Sequence, residues 1–325
     1  MTPVTETEAR EHLVTYLSDA HAIEEQALVQ MRRAPQIAGE PGLARIFREH
    51  EAETAEHERL IRGRLDAHDA EPSTVKELIM KAGGAAFALF ARANPDTPGK
   101  LAAHAYSYEH LELASHELLA RVADRAGDAQ TAAVARAIAA QERAMGERIA
   151  ARFDAAAMAS LRDVAPEDVP AHVVTYLRDA HALETQAIAL LEGGERIAGD
   201  DALAALMREH LEETRGHEHL VRERLAALDA KPSRVKDAAL GLGGLNWGGF
   251  FAGHPDTPGK LAAFAYAFEH LEIAGYELLA RVARIGADGA TAETAERILA
   301  DERRAARRVE ALFDHAAEAA LAARR

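Results

Sequence analysis

Apolar residues recur every three or four positions through most of the chain, which is the period of one helix face. In the first half they mark four long helices. The first stripe is Leu13, Leu17, Ala20, Ala27 and Met31, and the second is Leu43, Phe47, Leu60 and Ile61. The third is Leu101, Ala105, Tyr108 and Leu119, and the fourth is Val134, Ile138, Met145 and Ile149. Local chemistry sets the boundaries. The first helix runs from about Glu8 to Ile37, where Gly39 stops it. The second begins near Gly42 and ends before Pro72; Ser73 then caps a short helix, and a glycine-bearing stretch follows. Thr97-Pro98 opens the third with a hydroxyl cap and a proline at the first position. Gly127-Asp128 ends it and opens the fourth, which runs to about Ala157.

The joints between helices one and two, and between three and four, are short, so those pairs are antiparallel neighbours. The joint between two and three is long enough to cross the bundle. Short, long, short is the connectivity of the ferritin-like four-helix bundle, so the expected fold is all-α.

The pattern then repeats. "TYLSDAHAIEEQA" at Thr15 returns as "TYLRDAHALETQA" at Thr175, and "PDTPGKLAAHAYSYEHLELASHELLARVA" at Pro95 returns at Pro255 with few changes, both at an offset of 160. Two tandem modules follow, residues 1–162 and 163–325, with Asp163 to Pro170 as the linker. A fused pair of like modules suggests an internal pseudo-dimer, with room for further oligomerisation.

Each stripe is interrupted near its midpoint by groups that do not belong in an apolar core. Helix one carries Glu24, helix two His50, Glu53 and His57, helix three Glu112, and helix four Glu142. Midpoints of an antiparallel bundle share one layer, so four carboxylates meet there, flanked by two imidazoles. Unpaired, each buried charge would cost several kcal/mol. No stripe offers an arginine at that level, so a bound cation resolves the conflict. The second module repeats the set as Glu184, His210, Glu213, His217, Glu272 and Glu302. Glu109 and its partner Glu269 lie one turn away on the flank of the same face. The neighbours are less constant: His104 becomes Phe264, His116 becomes Tyr276 and Glu147 becomes Arg307.

Composition narrows the chemistry. The 325 residues contain no cysteine, so a metal must be held by oxygen and imidazole, a donor set suited to iron or manganese. The formal charge of −15 argues against nucleic acid as a partner. The N-terminus lacks the pattern of a signal peptide and no apolar run approaches a membrane span, so the expectation is a cytoplasmic protein away from membranes. His110 and His270 face off the stripe, His21 and His181 sit roughly 60° around the helix from Glu24 and Glu184, and all four read as capping, surface or supporting residues. Tyr16, Tyr106, Tyr176 and Tyr266 read as core packing. The run Gly241 to Gly253, with Trp247, lacks the spacing and lysine of a phosphate loop and reads as part of the crossover.

"EHEAETAEHERL" from Glu49 and "YEHLELASHELLARVA" from Tyr108, with their partners "EHLEETRGHEHL" and "FEHLEIAGYELLARVA", resemble the YciE/YciF-type ferritin-like proteins. The shared features are His-x-x-Glu-Thr-x-x-His on the second helix and Glu-His-x-Glu on the third. The resemblance covers nearly all of each module and implies a stress-associated, usually dimeric bundle. The site departs from better-understood ferritin-like enzymes, which carry Glu-x-x-His on helices two and four. Here helix two has Glu53-x-x-x-His57, and Met145 or Ala305 stands where the second histidine would be. One or two ions per module both remain open.

The leading expectation is a non-haem iron or manganese protein that reacts with dioxygen or peroxide, as a ferroxidase, peroxidase or catalase-like protein. A non-enzymatic scaffold or metal-binding module is one alternative, and an oxidase of a small organic substrate is another.

Overall fold

The computed structural model describes residues 6–71, 97–233 and 257–322. The chain divides into two compact units, Met1–Ser160 and Leu161–Arg325. Among the described residues there is no strand. The first unit contains α1 (Glu6–Ile37), α2 (Pro41–Ala67), α3 (Thr97–Arg125), α4 (Ala129–Ala150) and α5 (Phe153–Ser160). The second contains a 3-10 turn at Pro166–Asp168, then α6 (Val169–Ile197), α7 (Asp201–Ala227), α8 (Thr257–Ile285), α9 (Gly289–Ala311) and α10 (Phe313–Ala322). The chain therefore folds as tandem all-α bundles.

The helix ends follow from side-chain chemistry. Gly39 takes φ +64° after α1, and a Cβ there would lie 2.7 Å from Pro98 Cγ, so glycine is required for both conformation and space. Glu40 caps α2: its carboxylate accepts the Gly42 and Leu43 N–H groups at 2.9 and 2.6 Å. Asp128 caps α4 by accepting the Thr131 N–H at 2.9 Å.

Four contacts fix the arrangement of the first unit. Arg10 donates to the His68 carbonyl at 3.1 Å, tying the start of α1 to the end of α2. Gly39 meets Pro98, so α3 starts where α1 ends. Arg152, just past α4, pairs with Glu40 at 2.5 Å, and Arg64 near the end of α2 pairs with Asp128 at 2.9 Å. Thus α1 is antiparallel to α2 and α3, and α4 is antiparallel to both as well. The end of α2 and the start of α3 consequently lie at opposite ends of the bundle, about 40 Å apart at 1.5 Å per residue. Residues 72–96 join those points, as a single long crossover requires. The helix expected after Ser73, and the Gly241–Gly253 run, lie outside the described residues.

Two boundaries differ from expectation. The fourth helix does not continue to Ala157: it ends at Ala150, and the chain turns at Ala151-Arg152 before α5. The Arg152–Glu40 pair holds that corner, Phe153 turns in against Tyr106 with ring centroids 5.4 Å apart, and the Ser160 hydroxyl accepts the Gly99 N–H at 2.9 Å. The linker is shorter than expected, because Val169 and Pro170 already belong to α6, where proline is tolerated in the first turn. Among the described residues, no helix is long and apolar enough to cross a membrane.

Candidate metal centre

The stripes bury most of the interrupting groups. Glu24, Glu112 and Glu142 are fully buried, and so is Glu109, although the sequence pattern puts it on the flank of the face. His50 and His57 join them from α2. These six side chains come from all four long helices and meet in one layer of the first unit.

Their geometry is that of donors aimed at shared points. His57 Nδ1 lies 2.7 Å from Glu142 Oε1 and 3.8 Å from Glu24 Oε2. His50 Nε2 lies 3.1 Å from Glu109 Oε2 and 3.3 Å from Glu142 Oε2. Despite these distances, neither imidazole nitrogen has the alignment of a hydrogen bond, and both oxygens of Glu109, Glu112 and Glu142 lack a hydrogen-bond partner. Buried polar atoms left in this state are rare. Glu24, His57 and Glu142 form one three-donor pocket, and His50, Glu109 and Glu142 form another, each with its donor atoms within 4.8 Å of one another. Glu142 belongs to both, one oxygen toward each imidazole.

The opposite nitrogens are held from outside. His50 Nδ1 donates to Glu53 at 2.7 Å, and His57 Nε2 donates to Gln141. Each bond selects the tautomer that leaves the inward nitrogen free to coordinate. This corrects the expectation for Glu53, which does not enter the layer. On α2 the buried face is His50, Thr54 and His57, at spacings of four and three, while Glu53 falls on its edge with its side chain 38% exposed. Arg148 pairs with Glu53 there at 2.6 Å. Glu213 likewise stands aside in the second unit, bonded to His210 at 3.1 Å and to Arg308.

The electrostatics describe a site short of positive charge. Burial pushes the carboxyls of Glu24 and Glu112 well above the usual range, and raises Glu109 to about 8. Burial also acts against Glu142, but the two imidazoles beside it, His50 and His57, outweigh burial and hold this carboxyl low. Burial depresses His57, yet Glu142 and Glu24 raise it to about 9. Without a cation, protons carry the compensating charge.

The second unit repeats the layer. His217 Nδ1 lies 2.8 Å from Glu302 and 3.9 Å from Glu184, while His210 Nε2 lies 3.1 Å from Glu269 and 3.6 Å from Glu302. Glu184, His217 and Glu302 form one pocket; His210, Glu269, Glu272 and Glu302 form the other. Burial raises Glu184 to about 8 and Glu269 to about 7.

Some partners were not foreseen. The His116 Nε2 in unit one lies 2.7 Å from Glu24 Oε1, whereas the Tyr276 hydroxyl donates to Glu184 in unit two. Gln141 has its counterpart in Asp301, 3.3 Å from His217 Nε2. Their signal was faint: each sits one position, or one turn, from a stripe glutamate. The tautomer-fixing role of Glu53 and Glu213 was equally hidden. His21 and His181 are buried and bond Glu58 and Glu218, and His110 and His270 bond the Tyr106 and Tyr266 carbonyls, so all four support the framework.

The family described as "domain of unknown function", DUF892, matches residues 8–161 and again residues 171–322. The chain belongs to this family. Two successive DUF892 matches coincide with the two bundles, so each bundle carries one family match and one donor cluster. No solved structure matches the chain.

Proposed function

We propose that each DUF892 unit binds a pair of divalent iron or manganese ions and uses them in reactions with dioxygen or peroxide. One observation carries this reading: Glu142 faces both imidazoles, Oε1 toward His57 and Oε2 toward His50, so one carboxylate serves two pockets. The charge count supports the pair. Glu24, Glu109, Glu112 and Glu142 offer four negative charges in a buried layer, which two divalent cations balance with both imidazoles neutral.

In the first pocket Glu24, His57 and Glu142 would hold one ion; in the second His50, Glu109 and Glu142 would hold the other, with the buried Glu112 available in the same layer. The corresponding residues in the second unit are Glu184, His217 and Glu302, then His210, Glu269, Glu272 and Glu302. The ions supply electron transfer to a two-electron oxidant, which carboxylates and imidazoles cannot do alone. The chain's own contribution is to fix tautomers through Glu53 and Gln141, to pack apolar side chains above and below the layer, and to keep carboxylates ready to give up protons on loading. The motifs on α2 and α3 support reading the protein as YciE/YciF-type, with a cytoplasmic role in oxidative stress as a ferroxidase, peroxidase or catalase-like protein.

The test is metal loading of the whole protein with Mn(II), or with Fe(II) under anaerobic conditions. Elemental analysis is expected to give about four ions per chain, with a raised melting temperature and faster Fe(II) oxidation by air than in buffer. A protein that takes up no metal and melts at an unchanged temperature is instead a scaffold with a polar seam.

A further inference from the structure

The second unit has a feature beside its donor layer that the metal reading does not use. A cavity of about 220 Å³ lies among α6, α7 and α8, and His210, Glu269 and Glu272 are part of its lining. Its remaining wall is apolar, with Leu190, Leu261, Phe264 and Phe268 prominent, and Arg196 is its one other charged side chain. Arg196 is exposed and belongs to the rim.

Sequence differences between the units account for this wall. Leu190 stands where the first unit has Gln30, and Phe264 stands where it has His104. Gly193 and Gly194 replace Arg33 and Ala34. Two adjacent glycines inside a helix are unfavourable in themselves. Here they leave room: a Cβ on Gly193 would meet nothing within 4 Å, and one on Gly194 would touch Leu261 and the Met207 sulfur at 3.5 Å.

We propose that this cavity binds a small apolar organic molecule, of about one aromatic ring, directly against the metal-facing side chains His210, Glu269 and Glu272. The class follows from the lining. A polar ligand would lose its hydration against Leu190, Leu261 and Phe264 and gain no partner there. Apolar cavities of about 150 Å³ take up benzene, so the volume admits a ring with a short substituent. Binding stands on the cavity alone; the ligand's role as a substrate for oxidation rests on the metal reading.

Toluene is the probe, titrated into the full chain and followed by ligand proton NMR. Saturable binding to the metal-free protein is expected, weakened about tenfold or more when the first unit's residues are installed as Leu190→Gln and Phe264→His. These side chains already occur at the paired positions of a folded unit, and the single variant Leu190→Gln separates loss of binding from loss of fold. In the Mn(II)-loaded protein the bound toluene resonances should broaden strongly, because the cavity abuts the ions. Absence of saturable binding, unchanged affinity in both variants, or binding without broadening in a protein shown to hold Mn(II) would overturn the proposal. If toluene binds, the variants weaken it and no Mn(II) is taken up, the cavity stands and the metal reading fails.

Discussion

The two donor layers share the same six residues, four glutamates and two histidines, at the same offset, yet their supports differ. In the first unit Glu24 is joined by an imidazole, His116, whose burial lowers its pKa to about 4; in the second, Glu184 accepts a hydrogen bond from the Tyr276 phenol hydroxyl. His57 is braced by the amide of Gln141, and His217 by the carboxylate of Asp301. A carboxylate behind an imidazole raises its basicity more than an amide does. The comparison teaches that the inward-facing set is dictated by the bundle, whereas its electronic setting is free to vary one residue further out.

The largest expected effect tests what the two layers share. Glu142→Ala removes a donor from both pockets of the first unit, so the chain should lose about half of its metal, while Glu24→Ala should cost about a quarter. Elemental analysis of the two variants decides it; equal losses would show that Glu142 is not a common donor.

A smaller effect tests how they differ. Asp301→Asn should weaken metal binding in the second unit about tenfold, bringing it toward the first, as loss of a bracing carboxylate does at metal-bound histidines. Calorimetric titration that finds one affinity for all sites, unchanged in the variant, would break the comparison.

The smallest lies away from the centres, at the caps of α4 and α9. Asp128 is bonded by Arg64 at 2.9 Å and His68 at 2.7 Å, whereas Asp288 has Arg224 at 3.3 Å and Leu228 in place of the histidine. Burial pushes both carboxyls up, but bonds from Thr131 or Thr291 and the basic partners hold them below the ordinary value. A depressed carboxyl contributes its stability fully above its unfolded pKa of about 3.9, and loses it as pH falls through the folded value. Asp128→Asn should therefore cost about 1–2 kcal/mol at pH 7 in denaturant unfolding, Asp288→Asn less, with both differences shrinking in acid.

The helices and the central carboxylates were legible because the signals reinforce each other. Glu24, Glu112 and Glu142 each interrupt an otherwise apolar stripe at a spacing of three or four, and all three are buried. On α2 the signal was ambiguous. His50, Glu53 and His57 fit a three-and-four pattern as well as His50, Thr54 and His57 do, and only packing shows that Thr54 takes the inner position, its hydroxyl bonded to the His50 carbonyl at 3.0 Å. Glu109 was placed on the flank because the width of the buried face depends on how closely neighbouring helices approach. Gln141 and Asp301 were hidden for a different reason: their partners lie 84 positions away, a relation no local period encodes.

The donor layer has a consequence for motion. Each long helix of a unit contributes at least one side chain to the same buried layer: Glu24 from α1, His50 and His57 from α2, Glu109 and Glu112 from α3, Glu142 from α4. No helix can swing away without taking a charge from its shared compensation. Helices that would otherwise fray and exchange their amides separately are thus bound into one opening event, and loading with cations would slow that event for all four together. The layer is a clasp, and any ions it binds would set how often the bundle breathes.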